Sequence, residues 1–312
     1  GSSVDEVIDY LLDEYIYIDS MVDGIGDVLY RMISGCVIDD DLADHAPSDN
    51  NVTYVYNGPI EIAPTQEEMQ LPSLISGTFG ADASTTYNLN WYTKYYVDGT
   101  DLELYQTDKE PNFTGKNNLP KGVQAKKFTT QEVRSFNGVD VGVIGLMSVD
   151  REVYRHRIEL TGLTPGTTYY YRIGDAARGY WSETGKLITP SGNDDSFTFL
   201  HMSDTQSITQ EQYGVWGKLL QDAVEIYPET AFVAHTGDFV DHGDGFMQWK
   251  WGLDSASDHL INMAIMPTAG NHEAYGTNAL DNYFHLSEDS IGIPQFTETG
   301  TYYSYDYNNV HF

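Results

Sequence analysis

Three short polar clusters, each placed directly after a run of β-type residues, hold the side chains best suited to chemistry. Asp204-Thr205-Gln206 follows "FTFLHMS", Gly237-Asp238 follows "TAFVAHT", and Gly270-Asn271-His272-Glu273 follows "AIMPTA". Asp204, Gln206, Asp238, Asn271 and His272 together offer two carboxylates, two side-chain amides and one imidazole. An oxygen-rich set with a single imidazole suits Mn, Fe, Mg or Zn and does not suit copper–thiolate chemistry. Two such ions about 3.5–4 Å apart clamp a phosphate ester for in-line attack. Asp238, midway in the set, is the natural bridge between them. Gly237 and Gly270 carry no Cβ, so the backbone can turn sharply there and aim the residue that follows. A Gly-Asp pair alone is commonplace; the ordered set, each cluster after its own strand, is specific.

The elements that must position these clusters alternate strand and helix, which predicts βαβ units and a mostly parallel sheet. Between the first two clusters lies "ITQEQYGVWGKLLQDAVEIY", with Val215, Leu219, Leu220, Ala223 and Val224 at helical spacing. Thr209 and Gln212 form a Thr-x-x-Gln capping box at its start. A less regular helical stretch covers 246–262. In an open α/β sheet the loops at the carboxyl ends of the strands converge on one crevice, so three separated clusters become one site.

Upstream, from about residue 70, short β-type runs are broken by turn residues. "TTYNLNWYTKYYV" is followed by the turn signal Asp98-Gly99 and then by "TDLELYQT". Arg155, Arg157 and Glu159 alternate with His156, Ile158 and Leu160, a period-two strand with one face inward. Regularly spaced short strands of this kind predict a β-sandwich. Residues 1–69 form an acidic segment with Val4, Val7, Ile8, Leu11 and Leu12 at helical spacing, then the polar linker "DDDLADHAPSDNN". The expected division is 1–69, 70–190 for the sandwich and 197–312 for the α/β part, with "SGNDDS" as the linker between the last two.

Lys and Arg number 16 against 47 Asp and Glu, a formal net charge of −31. That charge repels nucleic acid and anionic membrane surfaces. No apolar run is long enough to cross a membrane as a helix. The only cysteine is Cys36, which excludes an internal disulfide, a Cys-rich zinc site and a Cys–Cys redox pair. The chain begins Gly1-Ser2-Ser3 without Met, so the lack of a signal peptide says nothing about secretion.

The order Asp-x-Gln, Gly-Asp, Gly-Asn-His-Glu resembles the first three motifs of the calcineurin-like metallophosphoesterase superfamily, in which the second position of the first motif is His or Gln. "RHRIELTGLTPGTTYYYRIGD…WSETGKLITP" resembles the fibronectin-III-like N-terminal domain of purple acid phosphatases and their bacterial relatives, and "TYYSYDYNNVHF" resembles the strand pair that follows. The resemblance covers about residues 70–312. It implies a fibronectin-III-like sandwich followed by an α/β metallophosphoesterase domain, truncated at its C-terminal side. By position, it implies that Asp204 and Gln206 bind one metal, that Asp238 bridges two, and that Asn271 binds the second. His272 would contact the phosphate and assist the leaving group, with Glu273 orienting it, and a metal-bound hydroxide would be the nucleophile. The implied cofactors are two divalent or trivalent ions, Fe, Mn or Zn, and the implied partner is a small phosphate ester. The Tyr that colours purple acid phosphatases is missing from "GDFVDHGDG", where Val240 and Asp241 stand, which implies a non-purple relative. The family's later His and its Gly-His-x-His are also missing, which implies a fragment of a larger enzyme. Gln206 offers a carbonyl oxygen in place of an imidazole nitrogen, an exchange expected to favour Mn or Fe over Zn.

Among the other polar residues, His156, His201 and His235 lie on strands and are expected to pack, while His242 and Asp244 could face the crevice. Trp249 and Trp251, with Leu253, are expected to pack a helix. Two other functions compete with a phosphomonoesterase. One is a surface binding or adhesion protein with a decayed phosphoesterase domain; the other is phosphodiester or nucleotide cleavage. Family resemblance and acidity together suggest an extracellular or cell-envelope protein.

Overall fold

The computed structural model describes residues 70–312 except 95, 98–99, 128–130, 141–145, 276–278 and 287–302. The expected N-terminal helices, Cys36, the linker at 39–51 and the Asp98-Gly99 turn lie outside the described residues. Residues 67–135 and 152–312 group as one compact unit, and the side-chain contacts described below lie within it.

Among the described residues nine strands precede residue 190: β1 (Ser73–Phe79), β2 (Thr86–Thr93), β3 (Asp101–Gln106), β4 (Gln124–Lys127), β5 (Gln131–Asp140), β6 (Leu146–Thr161), β7 (Thr168–Asp175), β8 (Tyr180–Trp181) and β9 (Gly185–Ile188). They form two sheets, β1-β2-β6-β4 with β5 beside β6, and β3-β7-β8 with β9 beside β7. Alternation builds the space between them. Ile158 and Leu160 of β6, Leu89 and Trp91 of β2, Leu102 and Leu104 of β3, and Tyr169, Tyr171 and Ile173 of β7 are all buried in one cluster. His156 belongs to the same inward row: it is 1% exposed, stacks on Trp91 at 5.4 Å and bonds Thr93 Oγ1 at 2.9 Å. The opposite face of β6 departs from expectation, because Arg155 is also buried.

The α/β layer begins with β10 (Thr198–Met202), β11 (Thr230–His235) and β12 (Ala264–Pro267), a parallel sheet in that order. Helix α1 (Gln210–Ile226) joins β10 to β11. Helices α2 (Phe246–Ser255) and α3 (Ser257–Leu260) join β11 to β12. After β12 come a 3₁₀ turn (Glu273–Tyr275), α4 (Ala279–Tyr283) and the antiparallel hairpin β13 (Asp306–Tyr307) and β14 (Val310–His311). Thr209 caps α1, its Oγ1 accepting from Gln212 N–H at 3.3 Å. The reciprocal half of the box slips by one residue, Gln212 Oε1 accepting from Ile208 N–H at 3.4 Å.

The buried face of α1 keeps only part of the aliphatic set at helical spacing: Leu220 is buried and Val224 packs against the core. Val215 is 70% and Leu219 53% exposed, while Tyr213, Trp216, Gly217 and Leu220 are buried. Gly217 explains the choice. Its missing side chain lets α1 approach the Ser255 carbonyl at the end of α2, and Trp216 Nε1 donates to Gly252 O at 3.0 Å beside it. The sandwich packs directly on this layer: Leu74, Tyr92 and Val153 share a core cluster with Val233, Phe239 and Trp249.

Candidate metal centre

Strands β10, β11 and β12 end side by side, and their backbones stay joined beyond the ends. Thr236 N–H donates to Met202 O at 2.9 Å and Thr268 N–H to His235 O at 2.8 Å. One step further, Asp204 N–H donates to Gly237 O at 3.1 Å and Gln206 N–H to Asp238 O at 3.0 Å, zipping the first cluster to the second. The third joins through His272 N–H, which donates to Asp238 Oδ1 at 3.0 Å. Asp204, Gln206 and Asp238 are thereby brought together by main-chain bonds and His272 by the Asp238 carboxylate, and Asn271 sits exposed beside His272. The turns are strained where they present the carboxylates: Asp204 has φ 57° and Asp238 φ 54°, a left-handed conformation that costs a non-glycine residue energy. Gly237, at φ 103°, lies so close to the Gly270 backbone that no Cβ would fit, and a Cβ on Gly270 would strike the Asp238 carboxylate.

Glu273 does not orient His272 as expected. Its carboxylate, 1% exposed, accepts four backbone N–H groups: Asp238 and Gly270 on Oε2, each at 2.8 Å, and Phe239 and Val240 on Oε1, at 2.8 and 3.2 Å. It is the clasp between the second and third loops. Four donors compensate a buried charge that would otherwise be costly. His272 is held instead by Asp241. Its Nδ1 donates to Asp241 O at 2.6 Å and lies 3.5 Å from Asp241 Oδ1. That bond fixes a proton on Nδ1 and raises the His272 pKa above its ordinary value; the acidic charges of Asp238, Asp241 and Glu273 act in the same direction. In the sequence Asp241 stood out only as a position lacking Tyr. Its place three residues after Asp238, in the same loop, was the available signal.

The remaining histidines divide. His235 is buried under the site, bonded through Nε2 to Thr205 Oγ1 at 3.0 Å, and burial pushes its pKa down to about 4. His201 is exposed rather than packed and meets Thr236 Oγ1 at 3.0 Å. His242 is exposed and Asp244 half-buried in the loop after Asp238. Trp249 and Leu253 are buried in the core with Trp251 packed against it, as the helix reading anticipates.

One atom speaks directly to metal binding. Gln206 Oε1 is buried and accepts no hydrogen bond, an acceptor without a donor at the place where the sequence puts a ligand. A cation would satisfy it, and Asp204 and Asp238, in the loops joined to Gln206 by main-chain bonds, carry charge of the sign such an ion needs. Among the described residues no three His, Cys, Asp or Glu side chains are grouped to hold a metal. The candidate donors read from the sequence are two carboxylates, Asp204 and Asp238, and two amides, Gln206 and Asn271. This oxygen-rich set fits a hard or borderline ion.

Residues 72–189 match the N-terminal domain family of purple acid phosphatases, and residues 197–310 match the calcineurin-like phosphoesterase family. The purple acid phosphatase PPD1 from yellow lupin (Lupinus luteus) seeds superposes with a TM-score of 0.50 at 17% identity, covering 76% of this chain. The chain spans 43% of that protein's length. The third fibronectin III domain of the human KIAA0343 protein aligns at 14% identity over 45% of this chain and 100% of that one, with a TM-score of 0.16, too low to bear on the fold. No curated protein matches the chain.

Proposed function

From a chain that joins a purple acid phosphatase N-terminal domain to a calcineurin-like phosphoesterase domain, we propose that the complete protein is a metal-dependent phosphoesterase acting on small phosphate monoesters. The observation that carries the reading is the unpartnered, buried Gln206 Oε1 beside the Asp238 turn, to whose carboxylate His272 is bonded. Asp204 and Gln206 would hold one ion, Asn271 a second, and Asp238 both. Bound there, such ions supply Lewis acidity and a nucleophilic water at neutral pH. The chain's own share falls to His272. With Nδ1–H fixed on Asp241, its Nε2 can meet a phosphate oxygen. The raised pKa favours the doubly protonated ring, from which Nε2 can pass a proton to the leaving oxygen.

The test is turnover of an aryl phosphate by the complete protein loaded with Mn or Fe. Asp238→Ala and His272→Ala should each lower kcat by roughly 100-fold or more, the scale of a lost general acid or a lost site charge. Wild-type turnover in either variant would refute the proposal. A second reading, a surface binding protein with a decayed site, draws on the thin donor set among the described residues. It predicts metal binding without turnover. An extracellular or cell-envelope location is proposed on the same footing, and fractionation of the producing cells tests it.

A further inference from the structure

Six side chains of the sandwich converge on one stretch of main chain in the α/β layer. Arg155 Nη1 donates to Asp281 O at 2.9 Å and meets Asp281 Oδ2 at 3.2 Å. The Tyr92 hydroxyl donates to Asn282 O. Ser76 Oγ, at 2.7 Å, and Asn90 Nδ2, at 3.2 Å, both donate to Tyr283 O. Arg157 donates to Asp281 O and, at 3.4 Å, to Phe284 O, and the Thr78 hydroxyl donates to His285 O. Five consecutive carbonyls, 281 through 285, are thus accounted for by another domain. Those of 281–283 are carbonyls that the short helix α4 leaves without an internal partner at its C-terminal end, and those of 284 and 285 follow it. Two guanidinium groups there also oppose the negative pole of the helix.

The gripped segment leads into the metal centre through rings. Tyr92 lies 5.6 Å from Tyr283, Tyr283 stacks on Trp249 at 4.4 Å, and Trp249 stacks on Phe239 at 5.3 Å. Phe239 follows Asp238, and its N–H is held by Glu273. Trp249 Nε1 also donates to Gly243 O at 2.8 Å, and Gly243 N–H donates to His272 O at 3.1 Å. Interiors packed this closely pass a displacement on instead of absorbing it.

We propose that the sandwich face bearing Asn90, Tyr92, Arg155 and Arg157 positions the Asp238–His272 site, acting through residues 281–285 and the Tyr283–Trp249–Phe239 stack. The sandwich is then a working part of the phosphoesterase, not a module that could be exchanged. The catalytic half of this statement rests on the function proposed above, so the first test is independent of activity.

Hydrogen exchange compares the 312-residue chain with its Arg157→Ala and Arg157→Lys variants. In Arg157→Ala the amides of Asp238, Phe239, Val240 and Gly270, all bound to Glu273, should exchange about tenfold faster. The β3–β7 ladder should keep its rates, and Arg157→Lys should restore most of the protection. If those four amides keep wild-type rates while residues 281–285 loosen, the inference is wrong. If Arg157→Ala loosens the whole chain, Tyr92→Phe, which removes one hydroxyl and keeps the ring, decides by the same comparison. In the complete protein, Arg157→Ala should lower kcat about tenfold with KM within about twofold. An unchanged kcat in the folded variant would overturn the catalytic half. A wild-type enzyme that leaves aryl phosphate intact would defeat the functional reading instead, while the exchange result still decides the positioning.

Discussion

Replacing Glu273 with Gln should destabilise the α/β layer more than a change of one atom ordinarily does. Glu273 and Gln have nearly the same shape, so no cavity opens. What changes is polarity: one of two acceptor oxygens becomes an NH₂ group. Oε2 accepts from Asp238 and Gly270, and Oε1 from Phe239 and Val240, so whichever oxygen is replaced, two backbone donors then face a donor. Hydrogen bonds to a charged group contribute about 1.5–3 kcal/mol each, and the two bonds that survive pass from a charged to a neutral acceptor and weaken as well. The expected loss is about 3–6 kcal/mol, a large part of what holds a typical domain folded. Urea unfolding of wild-type and Glu273→Gln chains, followed by tryptophan fluorescence, measures it. Trp249 stacks on Phe239, next to the affected turn, and reports on this region. A variant within about 1 kcal/mol of wild type would refute the reasoning, because it would mean the four amides are satisfied without the carboxylate.

Two further outcomes follow from individual residues. Gln206→His in the complete protein should raise Zn affinity in calorimetry, since an imidazole nitrogen replaces an amide oxygen at the buried position; an unchanged or lower affinity would remove Gln206 from the ligand set. His156 is held neutral by burial, its pKa pushed from 6.5 down to about 4. The unfolded chain therefore binds a proton that the folded chain does not, and stability should fall as pH drops from about 6.5 to about 4, by about 3 kcal/mol for this one group. His156→Gln should flatten that limb in a pH series of thermal melts, and an unaltered limb would show that His156 does not contribute to it.

The meeting of three loops was legible where side chains carried the signal. Asp204, Asp238 and His272 follow strand-like runs, and parallel pairing of β10, β11 and β12 is enough to gather their loops. Glu273 was misread because its partners are backbone amides, which leave no trace in residue type. The buried face of α1 was legible only in part, through Leu220 and Val224, for a related reason: Gly217 scores as nothing in an apolar pattern, yet its emptiness sets the approach to α2. Arg155 and Arg157 looked like the wet side of a strand. A period-two pattern reports which face is polar, not whether that face meets water or another domain's main chain.

That last contact has a consequence for how the domain pair can drift over generations. The sandwich holds residues 281–285 mainly by their carbonyls, and every amino acid has a carbonyl. Side chains on the held segment are therefore free to vary as far as those bonds are concerned, while the donors at positions 76, 78, 90, 92, 155 and 157 are not. Among relatives the contact would leave an asymmetric record, with the donors fixed and the held segment constrained only where Asp281 and Asn282 meet the arginines and Tyr283 stacks on Trp249. A search for paired substitutions would register those few side-chain pairs and miss the carbonyl contacts that make the junction continuous in space.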